Sequence, residues 1–381
     1  MMRCIACRYI VDVDPWLFIC PKCRNLLEVV MPNSTDFNWD IAKKRRFGVW
    51  RYRELLPLRN DIDPVTLCEG GTPLIKINRV INGDVFVKFE GSNPTGSFKD
   101  RGMTVGVTIA KSLSVEGVIV ASTGNTAASA AAYAARAGLQ CIIALPRGGV
   151  ARGKLAQALL YNAKIVEVDG VFDDALEEVF IKVMQNGSKK LYPLNSYNPW
   201  RLEGQKTLSF EIIDELRDSP DYIFVPVGNA GNISAIWKGF KELYNFGLIN
   251  KLPKMIGVQA EGAAPLVKTW VSKSKKLIVV EKPMTIASAI RIGKPINWLK
   301  ALKAVEESKG SIITVSDEEI IKSMRDLAIY EGIGVEPASA TSLAGYRKAL
   351  ELGIIDRDEL AILVLTGHAL KDPDVILKCF L

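Results

Sequence analysis

The chain has 381 residues, 48% of them hydrophobic and 24% charged, which is an ordinary globular composition and excludes a disordered, collagen-like or coiled-coil chain. Its length predicts two or three domains, and no apolar stretch approaches the roughly 20 residues that span a bilayer. No secretory signal is evident, so we expect a soluble, cytoplasmic protein. The net charge of +7 is a mild excess that decides neither for anionic small molecules nor for nucleic acid.

Two C-x2-C pairs near the N-terminus hold four of the seven cysteines: Cys4, Cys7, Cys20 and Cys23. In a long cytosolic chain this spacing favours a metal site over disulfides. Four thiolates around Zn²⁺ form a closed, structural site with no position open for catalysis. Glycine often follows each pair in such ribbons, whereas Arg8 and Arg24 follow here. A degenerate ribbon that binds no metal is therefore the alternative interpretation. We expect a zinc-ribbon-like segment over residues 1–30.

From Asp84 onward, short runs rich in Val and Ile alternate with amphipathic stretches. The runs predicted as buried strands are Val85–Phe89, Val118–Ala121, Cys141–Leu145, Lys164–Val168, Tyr222–Val227, Met255–Gln259, Ile312–Val315 and Leu360–Leu365. The stretches predicted as helices are Ala127–Ala137, Arg152–Tyr161, Asp173–Met184, Ser234–Tyr244, Asp317–Tyr330 and Ser339–Glu351. Asp173 and Asp317 stand at expected N-caps. This alternation predicts an α/β fold with a mainly parallel sheet.

The first candidate functional loop, 93–102, carries Lys99 at the mouth of a Gly/Ser turn that opens a helix. Ligands bind at the carboxyl ends of strands in open α/β sheets, and this loop follows the strand that ends near Glu90. The positive end of the helix dipole disfavours an ammonium group, so Lys99 suits the role of a neutral, nucleophilic amine that forms a Schiff base. The alternative is an ordinary exposed lysine.

Two further loops offer backbone N–H groups at helix starts. The loop 121–127 contains Ser122, Thr123, Asn125 and Thr126, which suits a carboxylate or a phosphate, although a polar N-cap without ligand has the same composition. The loop 227–233 has two glycines and an alanine that let backbone amides wrap an anion closely. It matches neither the G-x-G-x-x-G nor the P-loop pattern, so dinucleotide and ATP binding are disfavoured.

Two more polar segments complete the set. Asn195, Ser196 and Arg201 combine neutral donors with a guanidinium that suits a phosphate or carboxylate. The last predicted strand leads into Thr366 and His368, the only histidine, so mechanisms that need several histidines are excluded. A lysine nucleophile, a phosphate cradle and a second anion site together fit pyridoxal 5′-phosphate acting on an amino acid.

The motifs, in their order along the chain, resemble those of the threonine synthase family, which belongs to the tryptophan-synthase-β-like (fold type II) pyridoxal-phosphate enzymes. They are TGSFKDRGM, ASTGNTAASAAAYAARAG, NSYNPWRLEGQKT, PVGNAGNISAIWKGFKE, GVQAEGAAP, IRIG followed by NW, GVEPASA and LTGH. The resemblance runs from the cysteine pairs to the C-terminus. It implies two open, mainly parallel twisted sheet domains: a large cofactor-binding domain over 31–95 and 196–381, and a small one over 96–195.

The resemblance also assigns roles to residues. Lys99 matches the Schiff-base lysine, Asn125 the contact to the phenolic oxygen of the cofactor, and Thr366 the hydroxyl that faces the pyridine nitrogen. The residues that match the loop around the cofactor phosphate are Gly228, Asn229, Ala230, Gly231 and Asn232. The residues that match substrate positions are Ser122, Thr123 and Thr126 for the amino-acid end, and Asn195, Ser196, Arg201 and, more weakly, Lys154 for the substrate phosphate.

The implied reaction converts O-phospho-L-homoserine and water to L-threonine and phosphate by γ-elimination and β-addition of water, in a homodimer. Cysteate synthase, which takes phosphoserine, and serine/threonine dehydratase are alternatives that would share Lys99 and the loop 227–233, called the Gly/Asn loop below. A dehydratase has no reason to keep the second phosphate site. A nucleic-acid-binding zinc ribbon would explain the cysteines and the charge but neither the lysine nor the phosphate loops.

Overall fold

The computed structural model describes residues 1–32, 34–59, 61–147, 152–169 and 190–380, with backbone only at 146 and 152–154. The predicted helix Asp173–Met184 lies outside the described residues. The chain forms two compact units. Unit 1 comprises Met1–Met31, Asp36–Gly70 and Asn93–Gln205, and unit 2 comprises Pro32–Thr35, Gly71–Ser92 and Lys206–Leu381. The division into 1–30, 31–95 with 196–381, and 96–195 stays a prediction.

The secondary structure of the described residues alternates strands and helices after a small N-terminal sheet. The strands are β1 (Met2–Cys4), β2 (Ile10–Val11), β3 (Leu27–Val29), β4 (Leu74–Lys76), β5 (Val85–Phe89), β6 (Gly117–Ala121), β7 (Gln140–Pro146), β8 (Lys164–Val168), β9 (Leu191–Pro193), β10 (Tyr222–Pro226), β11 (Lys254–Ala260), β12 (Ser311–Val315) and β13 (Ala361–Leu365). The helices are α1 (Trp39–Lys43), α2 (Lys99–Ser112), α3 (Asn125–Ala137), α4 (Arg152–Leu160), α5 (Pro199–Gln205), α6 (Thr207–Leu216), α7 (Gly231–Asn245), α8 (Pro265–Val271), α9 (Trp298–Glu307), α10 (Asp317–Glu331), α11 (Pro337–Glu351) and α12 (Pro373–Phe380). Short 3-10 helices cover Val49–Leu55, Glu90–Ser92, Glu261–Ala263, Ser288–Ile290 and Ala369–Lys371.

Unit 1 begins with the ribbon, an antiparallel sheet in the order β2-β1-β3. Its main sheet has four parallel strands in the order β8-β7-β6-β9, and all five residues of β6 are buried. Parallel strands covered by helices on both faces become continuous apolar runs, which is why the Val- and Ile-rich pattern identified β6 and β7.

Helices α2 and α5 of unit 1 approach each other at two glycines. A Cβ built on Gly204 would lie 1.8 Å from the carbonyl oxygen of Arg101, and one on Gly102 would lie 2.8 Å from the carbonyl oxygen of Arg201. Neither position has room for a side chain, so the two helix backbones pack directly against each other.

Unit 2 contains a six-stranded sheet in the order β12-β11-β10-β13-β5-β4. All neighbours pair in parallel except β4, which pairs antiparallel with β5 at the edge. Strands β10 and β13 are buried throughout and pack in an apolar core with residues such as Leu343 and Tyr346 of α11. The carboxyl ends of β10 and β13 lead into the predicted Gly/Asn loop and Thr366.

The predicted α/β class with parallel-rich sheets is confirmed. The prediction of Asp317 as an N-cap is wrong by one residue. Ser316 caps α10, because its hydroxyl accepts from the backbone N–H of Glu319 while the Glu319 carboxylate accepts from the backbone N–H of Ser316. Among the described residues, no helix is long and apolar enough to cross a membrane.

Candidate active site

Lys99 is the first residue of α2, as the sequence predicts, and its side chain is half-buried. The turn before it uses Gly96 at φ +83°, a left-handed conformation that suits glycine, and the Gly96 N–H donates to Asn93 O at 2.8 Å. The Nζ of Lys99 lies 4.4 Å from the ring centroid of Phe98. The turn thus places a primary amine at a helix N-terminus.

The neighbouring carboxylate of Asp100 is fully buried and holds this turn together. It accepts hydrogen bonds from the backbone N–H of Thr95 at 2.7 Å, from Thr95 Oγ1 at 2.6 Å and from Ser129 Oγ at 2.5 Å. Burial raises the pKa of Asp100 to about 6, although these hydrogen bonds oppose the shift. Because Ser129 belongs to α3, Asp100 also joins the start of α2 to α3.

The predicted loop 121–127 overlaps the start of α3, whose first residue is Asn125. Asn125 is buried, while Ser122, Thr123 and Thr126 are partly exposed. The N-cap is Gly124, which has no side chain to accept from the first N–H groups of the helix, and a Cβ built on it would meet no described atom within 4 Å. These N–H groups and hydroxyls therefore suit an anionic ligand.

Asn195 brings the second predicted substrate segment to the same loop. The Ala121 N–H donates to Asn195 Oδ1 at 2.9 Å, and Asn195 Nδ2 donates to Ala121 O at 2.8 Å. This pair of hydrogen bonds fixes Asn195 and the adjacent Ser196 at the end of β6, where the loop 122–126 begins. Five of the predicted substrate residues thus lie together within unit 1.

Arg201, another of the predicted substrate residues, lies on α5 with only 2% of its surface exposed. Its Nη1 donates to Leu194 O at 3.1 Å, but its buried Nε has no hydrogen-bond partner among the described residues. Burial alone lowers the pKa of Arg201 to about 10, with no carboxylate opposing that shift. An arginine buried without a counter-ion is costly to maintain, and an anionic ligand would compensate it. Lys154 lies in α4, but its side chain is outside the described part.

The Gly/Asn loop of unit 2 runs from β10 into α7. Ala230 is the N-cap of α7 at φ +63°. A Cβ on Gly228 would lie 3.0 Å from Ile290 Cα, so the backbone there is closely packed. Both polar side-chain atoms of Asn232 are buried and have no partner in the described part of the chain. An unpartnered amide at the first turn of a helix suits a phosphate oxygen.

Thr366 lies at the carboxyl end of β13 in a network of hydroxyls. Its Oγ1 is 3.0 Å from Ser339 Oγ and donates to Glu336 Oε1 at 3.4 Å. The N–H of Gly367 donates to Ser339 Oγ at 2.8 Å. The next residue, His368, accepts from the Leu370 N–H at its Nδ1 and so caps a 3-10 turn. His368 therefore stabilises the turn that follows Gly367.

The four cysteines of the ribbon converge, with all four sulfurs within 4.8 Å of one another. The Sγ atoms of Cys4 and Cys23 are 3.3 Å apart, and those of Cys7 and Cys20 are 3.7 Å apart. A tetrahedral zinc site with Zn–S bonds of about 2.3 Å has sulfurs about 3.8 Å apart. The backbone N–H of Asn25 lowers the pKa of the Cys23 thiol to about 6, whereas burial raises that of Cys4 to about 12. The donor set fits Zn²⁺.

Each cysteine pair forms the same backbone turn even though neither is followed by glycine. The N–H of Arg8 donates to Cys4 O at 3.2 Å, and the N–H of Arg24 donates to Cys20 O at 3.0 Å. Both arginines have φ of +62°, the left-handed conformation in which glycine is preferred. The two turns therefore have the same geometry although arginine stands where glycine is common, which was the reason to consider a degenerate ribbon.

The chain belongs to the pyridoxal-phosphate dependent enzymes, because the profile of that family matches residues 65–367. It is 53% identical to the threonine synthase of Methanocaldococcus jannaschii over 99% of this chain and 94% of that protein. It is 49% identical to the threonine synthase of Methanosarcina acetivorans over 99% and 93%. A processed threonine deaminase from Solanum lycopersicum shares the fold, with a TM-score of 0.67 and 21% identity over 81% of this chain and 87% of that one. The resemblance that the motifs predicted is confirmed.

Several polar atoms of this region were missed by sequence reasoning. Ser97 Oγ, Trp200 Nε1 and Gln205 Oε1 are buried without a hydrogen-bond partner in the described ranges. Ser97 lies two residues before Lys99, and the other two flank Arg201 on α5. Glu336 and Ser339 around Thr366 were missed as well. All five lie within motifs that carried the resemblance, but only burial and distance distinguish them from their neighbours.

Proposed function

We propose that this pyridoxal-phosphate dependent enzyme is a threonine synthase that converts O-phospho-L-homoserine and water to L-threonine and phosphate. The kinship with threonine synthases over nearly the whole chain supports the reaction type. The single observation that carries the substrate assignment is Arg201, a buried guanidinium without a carboxylate partner among the described residues. A substrate with its own phosphate group supplies the missing anion.

The residues that would hold the cofactor fit its groups. Lys99 would bind it covalently through Nζ, and Asn125 would contact its phenolic oxygen. The residues that would hold its phosphate are Gly228, Asn229, Ala230, Gly231 and Asn232, with the unpartnered Asn232 amide as a donor. Thr366 would face the pyridine nitrogen with a neutral hydroxyl. When bound, pyridoxal 5′-phosphate supplies an electron sink that lets protons leave the carbons next to the substrate amino group.

The chain's own side chains would bind the substrate and move its protons. Ser122, Thr123 and Thr126 would bind its amino-acid end. The groups proposed for its phosphate are Asn195, Ser196 and Arg201, with Lys154 as a further candidate. Lys99 Nζ would act as the base that accepts the proton from Cα of the substrate. Arg201 keeps its hydrogen bond to Leu194 O, so its guanidinium is held in place while the phosphate leaves Cγ.

We also propose that the four cysteines hold one structural Zn²⁺, on the basis of their sulfur distances and paired turns. The family analogy supports a homodimer with the three-part domain division given above.

Product analysis tests the proposed reaction. The holoenzyme is incubated separately with phosphohomoserine, phosphoserine, serine and threonine. Only phosphohomoserine is expected to react, giving threonine and one equivalent of phosphate. Turnover of phosphoserine instead would favour a cysteate synthase, and turnover of serine or threonine a dehydratase.

A variant at Arg201 tests the substrate assignment. Arg201→Met is expected to raise the KM for phosphohomoserine by at least about 100-fold, because a charge-assisted hydrogen bond contributes about 1.5–3 kcal/mol and two can form. Cofactor absorbance should not change. Arg59→Met, at a side chain that is 80% exposed, is the matched control. An unchanged KM in Arg201→Met would remove Arg201 from the substrate site.

A further inference from the structure

The ribbon packs against the segment that carries the proposed substrate-phosphate residues. The ring centroid of Tyr192 lies 5.2 Å from that of Trp16 and 5.8 Å from that of Phe18, both in edge-to-face geometry. Tyr192 Oη also donates to Pro15 O at 3.0 Å. Phe18 reaches a second tyrosine, Tyr197, at 5.9 Å. Strand β3 of the ribbon packs on α5, which carries Arg201.

Phe18 is itself fixed by the second cysteine pair. It is completely buried and lies two residues before Cys20. The carbonyl of Phe18 accepts from the N–H of Leu27, and the N–H of Cys20 donates to Asn25 O at 2.7 Å. Phe18 is therefore held beside the turn of the second cysteine pair, which the backbone N–H of Arg24 closes by donating to Cys20 O at 3.0 Å.

On the other side of this contact, both tyrosines adjoin the proposed phosphate site. Tyr197 directly follows Ser196, and the Leu194 carbonyl that positions Arg201 lies two residues after Tyr192. Tyr192 and Tyr197 are buried, so a displaced Phe18 would leave a void that the 192–201 segment must fill. A shift there moves the polar groups of Ser196 and Arg201.

We propose that the metal-loaded ribbon positions the 192–201 segment, so that the metal content of the ribbon sets the affinity of the enzyme for the phosphate group of its substrate. This inference rests on the proposed function. Arg8 and Arg24 hold left-handed conformations that are strained for residues other than glycine, and such conformations persist only where the surroundings impose them. Four metal–sulfur bonds would impose them, and loss of the metal would free the turn beside Phe18. Phe18 is thus a positioning residue.

The test compares zinc-loaded holoenzyme with the same preparation after chelation under reducing conditions. Inorganic phosphate, the proposed product, is the probe, and its affinity is measured by calorimetry without turnover. Metal removal is expected to weaken phosphate binding about tenfold, or about 1.4 kcal/mol, and to raise the KM for phosphohomoserine by the same factor. The kcat and the cofactor absorbance should stay unchanged. Equal phosphate affinity with and without metal, or a ribbon that binds no zinc, would overturn the inference.

Variants of Phe18 distinguish an effect of this side chain on the 192–201 segment from general damage to the ribbon. Phe18→Ala, and Phe18→Leu in case the smaller residue prevents folding, should weaken phosphate binding while zinc content stays at one per chain. Tyr9→Ala removes a ribbon aromatic that is 45% exposed and should change neither. Zinc-loaded Phe18 variants with wild-type phosphate affinity would refute the role of Phe18.

The two proposals fail in different ways. If phosphohomoserine is not a substrate but phosphate affinity still follows metal content, the proposed reaction is wrong and the positioning role stands. If phosphohomoserine is converted to threonine while phosphate affinity ignores the metal, the reaction stands and the positioning role is wrong.

Discussion

Ser129 Oγ donates a 2.5 Å hydrogen bond to Asp100 Oδ1 and so joins α3 to the start of α2. These two helices begin with Asn125 and Lys99, the residues proposed to hold the ring and the aldehyde carbon of the cofactor. The relative position of these two groups therefore depends on a buried carboxylate that is not itself proposed to touch the cofactor. Such a residue can be tested through stability as well as through activity.

Asp100→Asn should change how stability depends on pH. The ordinary pKa of an aspartate is 3.8, and burial raises the pKa of Asp100 in the folded protein to about 6. The folded state therefore binds the proton more tightly, and the contribution of Asp100 to stability falls as pH rises through this window. Relative to Asp100→Asn, the wild type should lose about 3 kcal/mol of unfolding free energy between about pH 3 and pH 8. Denaturant titrations across that range measure the difference.

Ser129→Ala is the comparison for this experiment, since it removes one donor but keeps the titrating carboxylate. Its stability relative to Asp100→Asn should fall with pH at least as steeply as that of the wild type. A difference between wild type and Asp100→Asn that does not vary with pH would contradict the raised pKa.

Arg201→Met should stabilise the protein in the absence of phosphate. Burial of the unpaired guanidinium opposes folding, and a methionine of similar shape removes that cost, although Leu194 O loses a donor. We expect the unfolding free energy to rise by about 1–2 kcal/mol. Phosphate at about 100 times the wild-type Kd should stabilise the wild type by about 2.7 kcal/mol and the variant by no more than about 0.4 kcal/mol. Destabilisation of Arg201→Met would mean that the guanidinium is already compensated.

Lys99 should be the residue that carries the cofactor. Borohydride reduction of the holoenzyme followed by peptide mapping is expected to find the added pyridoxyl mass on Lys99. Lys99→Ala should lose the yellow colour of the covalently bound cofactor while its far-ultraviolet circular dichroism stays that of the wild type. Modification at another lysine would contradict the assignment on which the proposed mechanism depends.

Gly228→Ala should weaken cofactor binding. Its Cβ would approach Ile290 Cα to 3.0 Å and Ala289 O to 3.2 Å, so the loop must move away from its present path. We expect the Kd for pyridoxal 5′-phosphate to rise about tenfold, which corresponds to about 1.4 kcal/mol, as measured by titration of the apoenzyme. Ala230→Gly is the matched change in the same loop, and it should be neutral or slightly favourable because φ at this position is +63°. Equal cofactor affinity in all three proteins would show that the loop does not hold the phosphate.

Arg24→Gly should tighten zinc binding. The left-handed conformation costs a residue with a Cβ about 1 kcal/mol, and the metal-loaded ribbon must bear this cost. We expect the zinc affinity, measured by competition with a chelator, to rise about fivefold. Arg24→Lys keeps both the Cβ and the charge and should match the wild type. A weaker zinc affinity in Arg24→Gly would indicate that the guanidinium, not the backbone, matters at this turn.

Much of the fold could be predicted because buried parallel strands have a strong composition signal. Val85–Phe89 and Lys164–Val168 have the predicted bounds. The prediction that Lys164–Val168 is buried is wrong, because it lies at the edge of the described sheet and three of its five residues are exposed. Strands β4 and β9 were missed because each has only three residues, too few for a pattern to emerge. At α10 the acidic first turn obscured the true cap, because Asp317 and Ser316 are both good N-cap residues and only the reciprocal contact with Glu319 distinguishes them.

The candidate site was predicted as a set of residue types at loop positions, and the structure adds relationships that composition does not encode. That Asn195 bonds to Ala121, that Asp100 bonds to Ser129 and that the guanidinium of Arg201 is buried all depend on which loops meet in space. The ribbon shows the converse. Its absent glycines suggested a degraded site, but the left-handed conformation is available to arginine at a modest energetic cost.

The crossing of α2 and α5 through Gly102 and Gly204 has a consequence for how this enzyme can change. With backbone resting on backbone, neither helix can translate along the other without a steric clash. The distance between the main chains at Lys99 and Arg201 is therefore fixed by this backbone packing. An enzyme that accepts a shorter or longer phosphorylated amino acid would therefore need changes in its loops. Substitutions at this crossing would disrupt the packing of α2 and α5 before they changed the distance between the two helices.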